Sequence, residues 1–177
     1  MPGPPRSLPL KEEVLPPVKG DEVYYFSMSA RTLLTKIATL SVIGYLPVAP
    51  GTWGSAAGVL FVVLTRPSSP VLTAIIVVMA VTGVFTADAA EKEIGEADSG
   101  HIVIDEFVGY VVSVAFVPQT LGYLAAAFLL FRFFDILKPF PIGMVEKKLS
   151  GGLGVMADDI VAGLFANLVL QLWKMIF

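Results

Sequence analysis

The sequence contains no cysteine and only one histidine, His101, among its 177 residues. Without cysteine the chain cannot form disulfides, thiolate metal sites or a cysteine nucleophile. A single histidine excludes every mechanism that needs a histidine pair. Because Gly100 precedes it and no second imidazole exists in the chain, we interpret His101 as a polar interface residue rather than a ligand.

Charged residues are scarce as well. They make up 15% of the chain, and apolar residues make up 55%, against roughly 25% and 45–50% in typical globular proteins. The net charge is −3, whereas binding to nucleic acid requires a concentrated basic face. The composition therefore predicts a membrane protein that has no nucleic-acid partner.

Residues 1–28 differ from the rest of the chain because they combine many prolines with scattered charges. Such a composition buries too little apolar surface to order itself, so we predict a disordered proline-rich tail. A basic segment followed directly by an apolar segment is missing, which argues against a secretory signal. Residues 29–177 are expected to form a single helical domain embedded in the membrane.

Three long segments of this domain carry no charge, namely 37–65, 67–87 and 107–131. Their lengths reach the roughly 20 residues that a membrane-spanning helix needs. Proline-containing stretches interrupt or separate these segments, at 47–51, 66–70 and 118–120. Because proline breaks helices, the sequence predicts an all-α, polytopic membrane bundle of short helices.

Two interpretations of the segment around Pro118 are available. It is either one long span kinked at the proline or a hairpin of two helices, about 102–117 and 121–137. We favour the hairpin because of the charges. With hairpins at 54–88 and 102–137 and a last helix at about 157–177, all fifteen acidic residues lie on one side of the bilayer.

Most basic residues fall on that same side, and only Arg66 and Lys174 lie opposite. Since positive charge is concentrated in cytoplasmic loops, the charged side is expected to face the cytoplasm. Segment 31–46 is predicted to be a helix that either lies in the membrane interface or enters the bundle partway.

Carboxylates concentrate at the predicted cytoplasmic ends of the helices. A carboxylate in mid-bilayer costs about 2.5–3.5 kcal/mol on insertion scales, so each one requires an explanation. Acids in the first turn of a helix can cap free N–H groups, and this explains them one at a time. As a group they would repel one another, and bound Mg²⁺ would relieve that repulsion. The candidates are Asp88, Asp98, Asp105, Glu106, Asp135, Asp158 and Asp159.

Two further stretches offer donors for an anion. The loop 47–55 leads into a helix at which Thr52, Gly54 and Ser55 could present N–H and hydroxyl groups; a plain helix entry with Ser55 as the cap is the alternative. Arg132 and Lys138 could hold a phosphate between them. The alternative there is an Arg132–Asp135 ion pair with Lys138 extending toward the interface.

A glycine-rich stretch, 151–163, precedes and enters the last helix. Its glycines allow close approach of the backbone to a ligand or a neighbouring helix. The small side chains of Ala162, Gly163 and Ala166 predict close packing between helices in the membrane.

Four of these stretches together resemble the phosphatidylglycerophosphatase A family. They occur in the family's order and cover the chain from about residue 35 onward. The stretches are GYLPVAPGTWGS (44–55), IVIDEFVG (102–109), FRFFDILKPFPI (131–142) and GGLGVMADDIVAG (151–163).

The resemblance implies a Mg²⁺-dependent enzyme of the bacterial inner membrane that removes the terminal phosphate of phosphatidylglycerol phosphate. It implies metal-binding and catalytic roles for Asp105, Glu106, Asp158 and Asp159, with Asp98 as a further metal ligand. Thr52, Ser55, Arg132 and Lys138 are then the phosphate-binding candidates, supported by Asp135 and Asp88. A different Mg²⁺-dependent lipid-phosphate phosphatase and a carboxylate-based cation or proton transporter remain the alternatives.

Overall fold

A computed structural model describes residues 30–176, and all regular secondary structure within this range is helical. The predicted tail, 1–28, lies outside the described residues. A first helix, α1, covers 30–38, and a short 3-10 helix follows at Ile43–Tyr45. The remaining helices are α2 (Pro50–Thr65), α3 (Ser69–Ile94), α4 (Ile104–Ser113), α5 (Leu121–Leu137), α6 (Ile142–Lys148) and α7 (Gly151–Ile176).

The short helix α4 lies at the centre of the bundle, where α2, α3, α5 and α7 pack around it. Eight of its ten residues are buried. The two that are not fully buried are Asp105 and Glu106 in the first turn. The fold therefore places two adjacent carboxylates at one end of its most enclosed helix.

Helices α4 and α5 form an antiparallel hairpin, as the charge distribution predicts. Glu106 near the start of α4 lies 3.8 Å from Arg132 near the end of α5. Further along α4, the hydroxyl of Tyr110 donates to the carbonyl of Leu124, at 3.3 Å. These two contacts show that α4 and α5 run in opposite directions. The alternative of one long span kinked at Pro118 is therefore excluded.

Glycine allows α4 and α7 to pack closely. A Cβ atom added to Gly163 would lie 2.3 Å from the carbonyl oxygen of Gly109. Ala162 and Ala166, on the same helix as Gly163, are completely buried. The close packing predicted for these three small residues of α7 is confirmed.

Several predicted helix boundaries are wrong. Helix α2 begins at Pro50 rather than near residue 54, since proline is well suited to the first turn of a helix. The predicted helix 31–46 stops at 38 because Leu40 and Ser41 have positive φ angles. Helix α3 continues past residue 88 to Ile94, and α6 was not predicted.

The start of α7 is the most important difference. The helix begins at Gly151 instead of near residue 157, so Asp158 and Asp159 are its eighth and ninth residues. Backbone N–H groups are free only in the first turn of a helix. Helix capping therefore does not explain these two acids.

Among the described residues, α3 and α7 are long and apolar enough to cross a membrane, and each has 26 residues. Only 22% of the apolar window of α3 is buried inside the protein, and side chains such as Val78 and Phe85 are largely exposed. An exposed apolar surface of this extent is typical of contact with lipid. The fold is that of a small helical membrane protein.

Candidate functional site

Three carboxylates meet at one end of the bundle. Asp105 and Glu106 come from the first turn of α4, and Asp159 comes from the third turn of α7. One oxygen from each lies within 4.8 Å of the others. Asp159 is buried, and the other two are partly buried.

Each of these carboxylates has a buried oxygen without a hydrogen-bond partner. The atoms are Asp105 Oδ1, Glu106 Oε2 and Asp159 Oδ2. Burying unpaired carboxylates is costly unless a counter-charge compensates them. A donor set made only of carboxylate oxygens fits a hard divalent cation such as Mg²⁺.

Arg132 of α5 borders this cluster and brings positive charge to it. Its Nη1 atom lies 2.5 Å from Asp135 Oδ2, 3.8 Å from Glu106 Oε1 and 3.5 Å from Ser55 Oγ. Its Nε atom is buried and has no hydrogen-bond partner. The Arg132–Asp135 ion pair considered from the sequence does form, and it holds the guanidinium beside the carboxylates.

Lys138 turns inward at the end of α5. Its ammonium group lies 2.8 Å from Asp158 Oδ2, whereas the alternative considered from the sequence had Lys138 extending toward the membrane interface. The two adjacent acids of α7 therefore differ in their surroundings. Asp159 joins the carboxylate cluster, whereas Asp158 pairs with Lys138.

The start of α2 approaches the cluster through Gly51. A Cβ atom added there would lie 1.8 Å from Glu106 Oε1 and 3.3 Å from Arg132 Nη1, so a larger residue would displace the Glu106 carboxylate. The sequence analysis did not single out this residue. Its position directly after Pro50, in the first turn of a helix, was the available signal.

The donors predicted at Thr52 and Ser55 are largely used within α2. The backbone N–H of Thr52 donates to the carbonyl of Ala49, at 2.9 Å. The buried hydroxyl of Ser55 donates to the carbonyl of Gly51, at 2.9 Å, and accepts from Arg132. Ser55 therefore supports Arg132 rather than capping the helix, because α2 begins one turn earlier than expected.

The structure does not bring Asp98 or Asp88 into the cluster. Asp98 is exposed and shares a separate cavity of about 200 Å³ with Asp158, Glu91 and residues at the start of α7. Asp88 is partly exposed and pairs with Lys92 at 2.5 Å. Both acids lie at the same end of the bundle as the cluster.

His101 packs the loop before α4 against the 3-10 helix. Its Nδ1 atom lies 2.8 Å from the carbonyl oxygen of Gly44, and its ring stacks on Tyr45. These contacts agree with the interpretation of His101 as a polar interface residue.

Together, the fold and the site define a small helical membrane protein with a buried carboxylate cluster and an adjacent arginine at one end. Comparison with known sequences narrows this class. Residues 36–174 match the family model for phosphatidylglycerophosphatase A, and the chain belongs to this family of phosphatases.

Two relatives carry the family name. The chain is 36% identical to phosphatidylglycerophosphatase A of Haemophilus influenzae over 163 residues, covering 84% of this chain and all of the relative. It is 36% identical to phosphatidylglycerophosphatase A of Escherichia coli over 125 residues, covering 70% of this chain and 73% of the relative.

A third relative carries a different name. A Bacteroides thetaiotaomicron protein, provisionally named phosphatidylinositol-3-phosphatase, is 35% identical over 136 residues, covering 72% of this chain and 84% of that protein. No solved structure matches the chain.

Proposed function

We propose that the protein hydrolyses the terminal phosphomonoester of phosphatidylglycerol phosphate, with Mg²⁺, to give phosphatidylglycerol and inorganic phosphate. The observation that carries this proposal is the group of three buried oxygens on Asp105, Glu106 and Asp159 that lack hydrogen-bond partners. The names of the Haemophilus influenzae and Escherichia coli relatives support the substrate.

Asp105, Glu106 and Asp159 are the residues that would hold the metal. When bound, Mg²⁺ would neutralise part of the negative charge of the phosphate and would lower the pKa of a water molecule. Asp158 lies next in sequence to Asp159 and fixes Lys138 at the edge of the same region.

The chain's own residues then have separate tasks. Arg132, held by Asp135 and supported by Ser55, donates hydrogen bonds to a non-bridging phosphate oxygen. One carboxylate of the cluster accepts a proton from the water that attacks phosphorus and passes it to the glycerol oxygen as the P–O bond breaks. The products are then phosphatidylglycerol and inorganic phosphate. Lys138 and Thr52 border the position of the phosphate.

The position of the site favours a lipid substrate over transport. A transporter is expected to carry its acids near the middle of the bilayer, whereas the cluster lies at one end of the bundle. We place α3 and α7, which are long and apolar enough to span a membrane, across the bacterial inner membrane with this end facing the cytoplasm. A lipid headgroup then reaches the site while its acyl chains stay in the bilayer.

Phosphate release from the detergent-solubilised protein tests the proposal. With phosphatidylglycerol phosphate as substrate, we expect release in Mg²⁺ and none in EDTA. Mg²⁺ should also raise the unfolding temperature in the absence of substrate, because a ligand that binds only the folded state stabilises it. No release from folded, Mg²⁺-supplied protein would refute the substrate assignment.

The Bacteroides thetaiotaomicron relative provides the second substrate to compare. Phosphatidylinositol 3-phosphate and phosphatidylglycerol phosphate both present a phosphomonoester at the end of a glycerolipid. The proposal requires a higher kcat/KM for phosphatidylglycerol phosphate. Faster turnover of the inositol lipid would retain the phosphatase chemistry and change the substrate.

A further inference from the structure

Two apolar grooves flank α5 on the membrane-facing side of the bundle. The α2–α5 groove is lined by four side chains of α2 and five of α5, between Ala56 and Val63 and between Leu121 and Leu129, and encloses about 520 Å³. The α5–α7 groove encloses about 540 Å³ and is lined mainly by Tyr123, Ala126, Leu130, Val169 and Trp173. The two grooves are nearly equal in size.

Only the α2–α5 groove leads to the candidate site. Ala56 directly follows Ser55, and Leu129 lies one turn before Arg132, so the groove ends where Ser55 Oγ and Arg132 Nη1 approach to 3.5 Å. At its other end, the side chain of Gln119 donates to the carbonyl of Pro67, at 2.8 Å, and joins the two neighbouring loops.

The α5–α7 groove is separated from the carboxylates. The rings of Phe134 and Phe165 meet between α5 and α7 with their centroids 5.7 Å apart. They lie on the path from Leu130 and Val169 toward Asp159. A chain lying in this groove would end against aromatic rings and not against the polar residues.

We propose that the α2–α5 groove binds one acyl chain of the lipid substrate and thereby sets the terminal phosphate beside Arg132 and the carboxylates. This inference rests on the proposed function. From Ala56 to Val63 the groove runs about 10 Å at 1.5 Å per residue, with apolar side chains along its length and a cationic guanidinium at one end. With the proposed cation held by the neighbouring carboxylates, this order of apolar and charged groups complements a phospholipid with an anionic headgroup.

Adjacent alanines of α5 provide a matched pair of variants. Ala125 lines the α2–α5 groove and Ala126 lines the α5–α7 groove. We expect Ala125→Phe to lower kcat/KM for long-chain phosphatidylglycerol phosphate about tenfold, the size of effect that overfilling an apolar site produces. Hydrolysis of the deacylated compound, glycerophosphoglycerol phosphate, should not change, and Ala126→Phe should leave both rates unchanged.

Other kinetic results would overturn the acyl-chain site. An equal loss on the lipid and the deacylated substrate would mean that Ala125→Phe disturbs the catalytic residues. Equal losses for Ala125→Phe and Ala126→Phe would mean that the grooves are equivalent. In both cases the unchanged protein still hydrolyses the lipid, so the proposed function stands.

Photocrosslinking tests the groove without relying on turnover. Phosphatidylglycerol phosphate with a diazirine in one acyl chain should label Leu60 or Leu129, and unlabelled lipid should compete. Labelling at Val169 or Trp173, or labelling that does not saturate, would overturn the inference. Absence of phosphate release with saturable labelling at Leu60 would instead refute the proposed reaction and retain the lipid site.

Discussion

The two ends of the bundle satisfy their buried polar groups in different ways. At the end remote from the site, α4 stops at Ser113, and carbonyls at its end and two residues beyond it accept hydrogen bonds from α7. Asn167 donates to Ser113 and Ala115, at 3.0 and 2.7 Å, and Gln171 donates to Ala115, at 3.1 Å. At the other end, buried oxygens of Asp105, Glu106 and Asp159 have no such partners.

The two ends of α4 are therefore expected to have different roles, one in stability and the other in catalysis. The carboxyl end of α4 is completed by the chain itself, which is required where water is scarce. At the amino end, buried oxygens of Asp105 and Glu106 have no partner among the described residues, and the proposed cation would compensate them. Mutations at the two ends should therefore affect different quantities, stability at one and catalysis at the other.

Asp159→Asn should have the largest effect on catalysis. It removes one of the three charges of the cluster and, under the proposed function, a metal ligand. We expect kcat to fall more than about 100-fold, beyond what is usual for the residues that support a metal ligand. Folding should be retained in EDTA, because the substitution relieves repulsion with Asp105 and Glu106. Phosphate release and thermal unfolding measure the two effects.

The exposed carboxylate of Glu96 provides a control for that experiment. Glu96→Gln removes a charge at the same end of the bundle but outside the cluster, so activity should remain unchanged. If Asp159→Asn retained activity, or if it unfolded the protein while Glu96→Gln did not, Asp159 would have a structural role and the proposed metal site would be wrong.

Arg132→Lys should have the next largest effect. Lysine keeps the positive charge, but it lacks the planar guanidinium that contacts Asp135, Glu106 and Ser55 together. We expect kcat/KM to fall by about 10- to 100-fold, as for other supporting residues of metal sites. Arg66→Lys, at the remote end, is the matched control. Similar kinetics for both variants would exclude Arg132 from phosphate binding.

Gly51→Ala tests the approach of α2 to the cluster. The new methyl group would overlap Glu106 Oε1 and displace that carboxylate, so we expect activity to fall about tenfold. Gly122→Ala is the control because a Cβ atom there meets nothing within 4 Å. Steady-state kinetics will be measured across an Mg²⁺ titration. A loss of activity that saturating Mg²⁺ restores would be a loss of metal affinity.

Much of the fold could be predicted because charge and proline patterns report directly on membrane helices. The α4–α5 hairpin followed from Pro118 and from the uneven distribution of acids. The gathering of Asp105, Glu106 and Asp159 at one end followed from the same pattern. These signals are local in sequence and require no knowledge of side-chain packing.

Other features depend on contacts that are distant in sequence. The start of α7 was misplaced because the glycines at 151, 152 and 154 disfavour a helix by propensity, whereas packing against α3 requires glycine at 152. A Cβ atom at Gly152 would lie 1.9 Å from the carbonyl oxygen of Val84. The role of Gly51 and the separation of Asp98 from the cluster likewise depend on how helices meet.

The smallest effect on catalysis is expected at the remote end of α4, where Asn167→Leu removes two hydrogen bonds to backbone carbonyls. Bonds between membrane helices contribute about 0.6 kcal/mol each on average, so unfolding should become easier by about 1 kcal/mol while kcat stays unchanged. Unfolding in detergent and phosphate release below the transition measure the two quantities.

Gln171→Leu loses one bond and should show about half the destabilisation. A fall in kcat for Asn167→Leu would show that the two ends of α4 are coupled, because the carbonyls of Ser113 and Ala115 lie at the opposite end of the helix from Asp105 and Glu106.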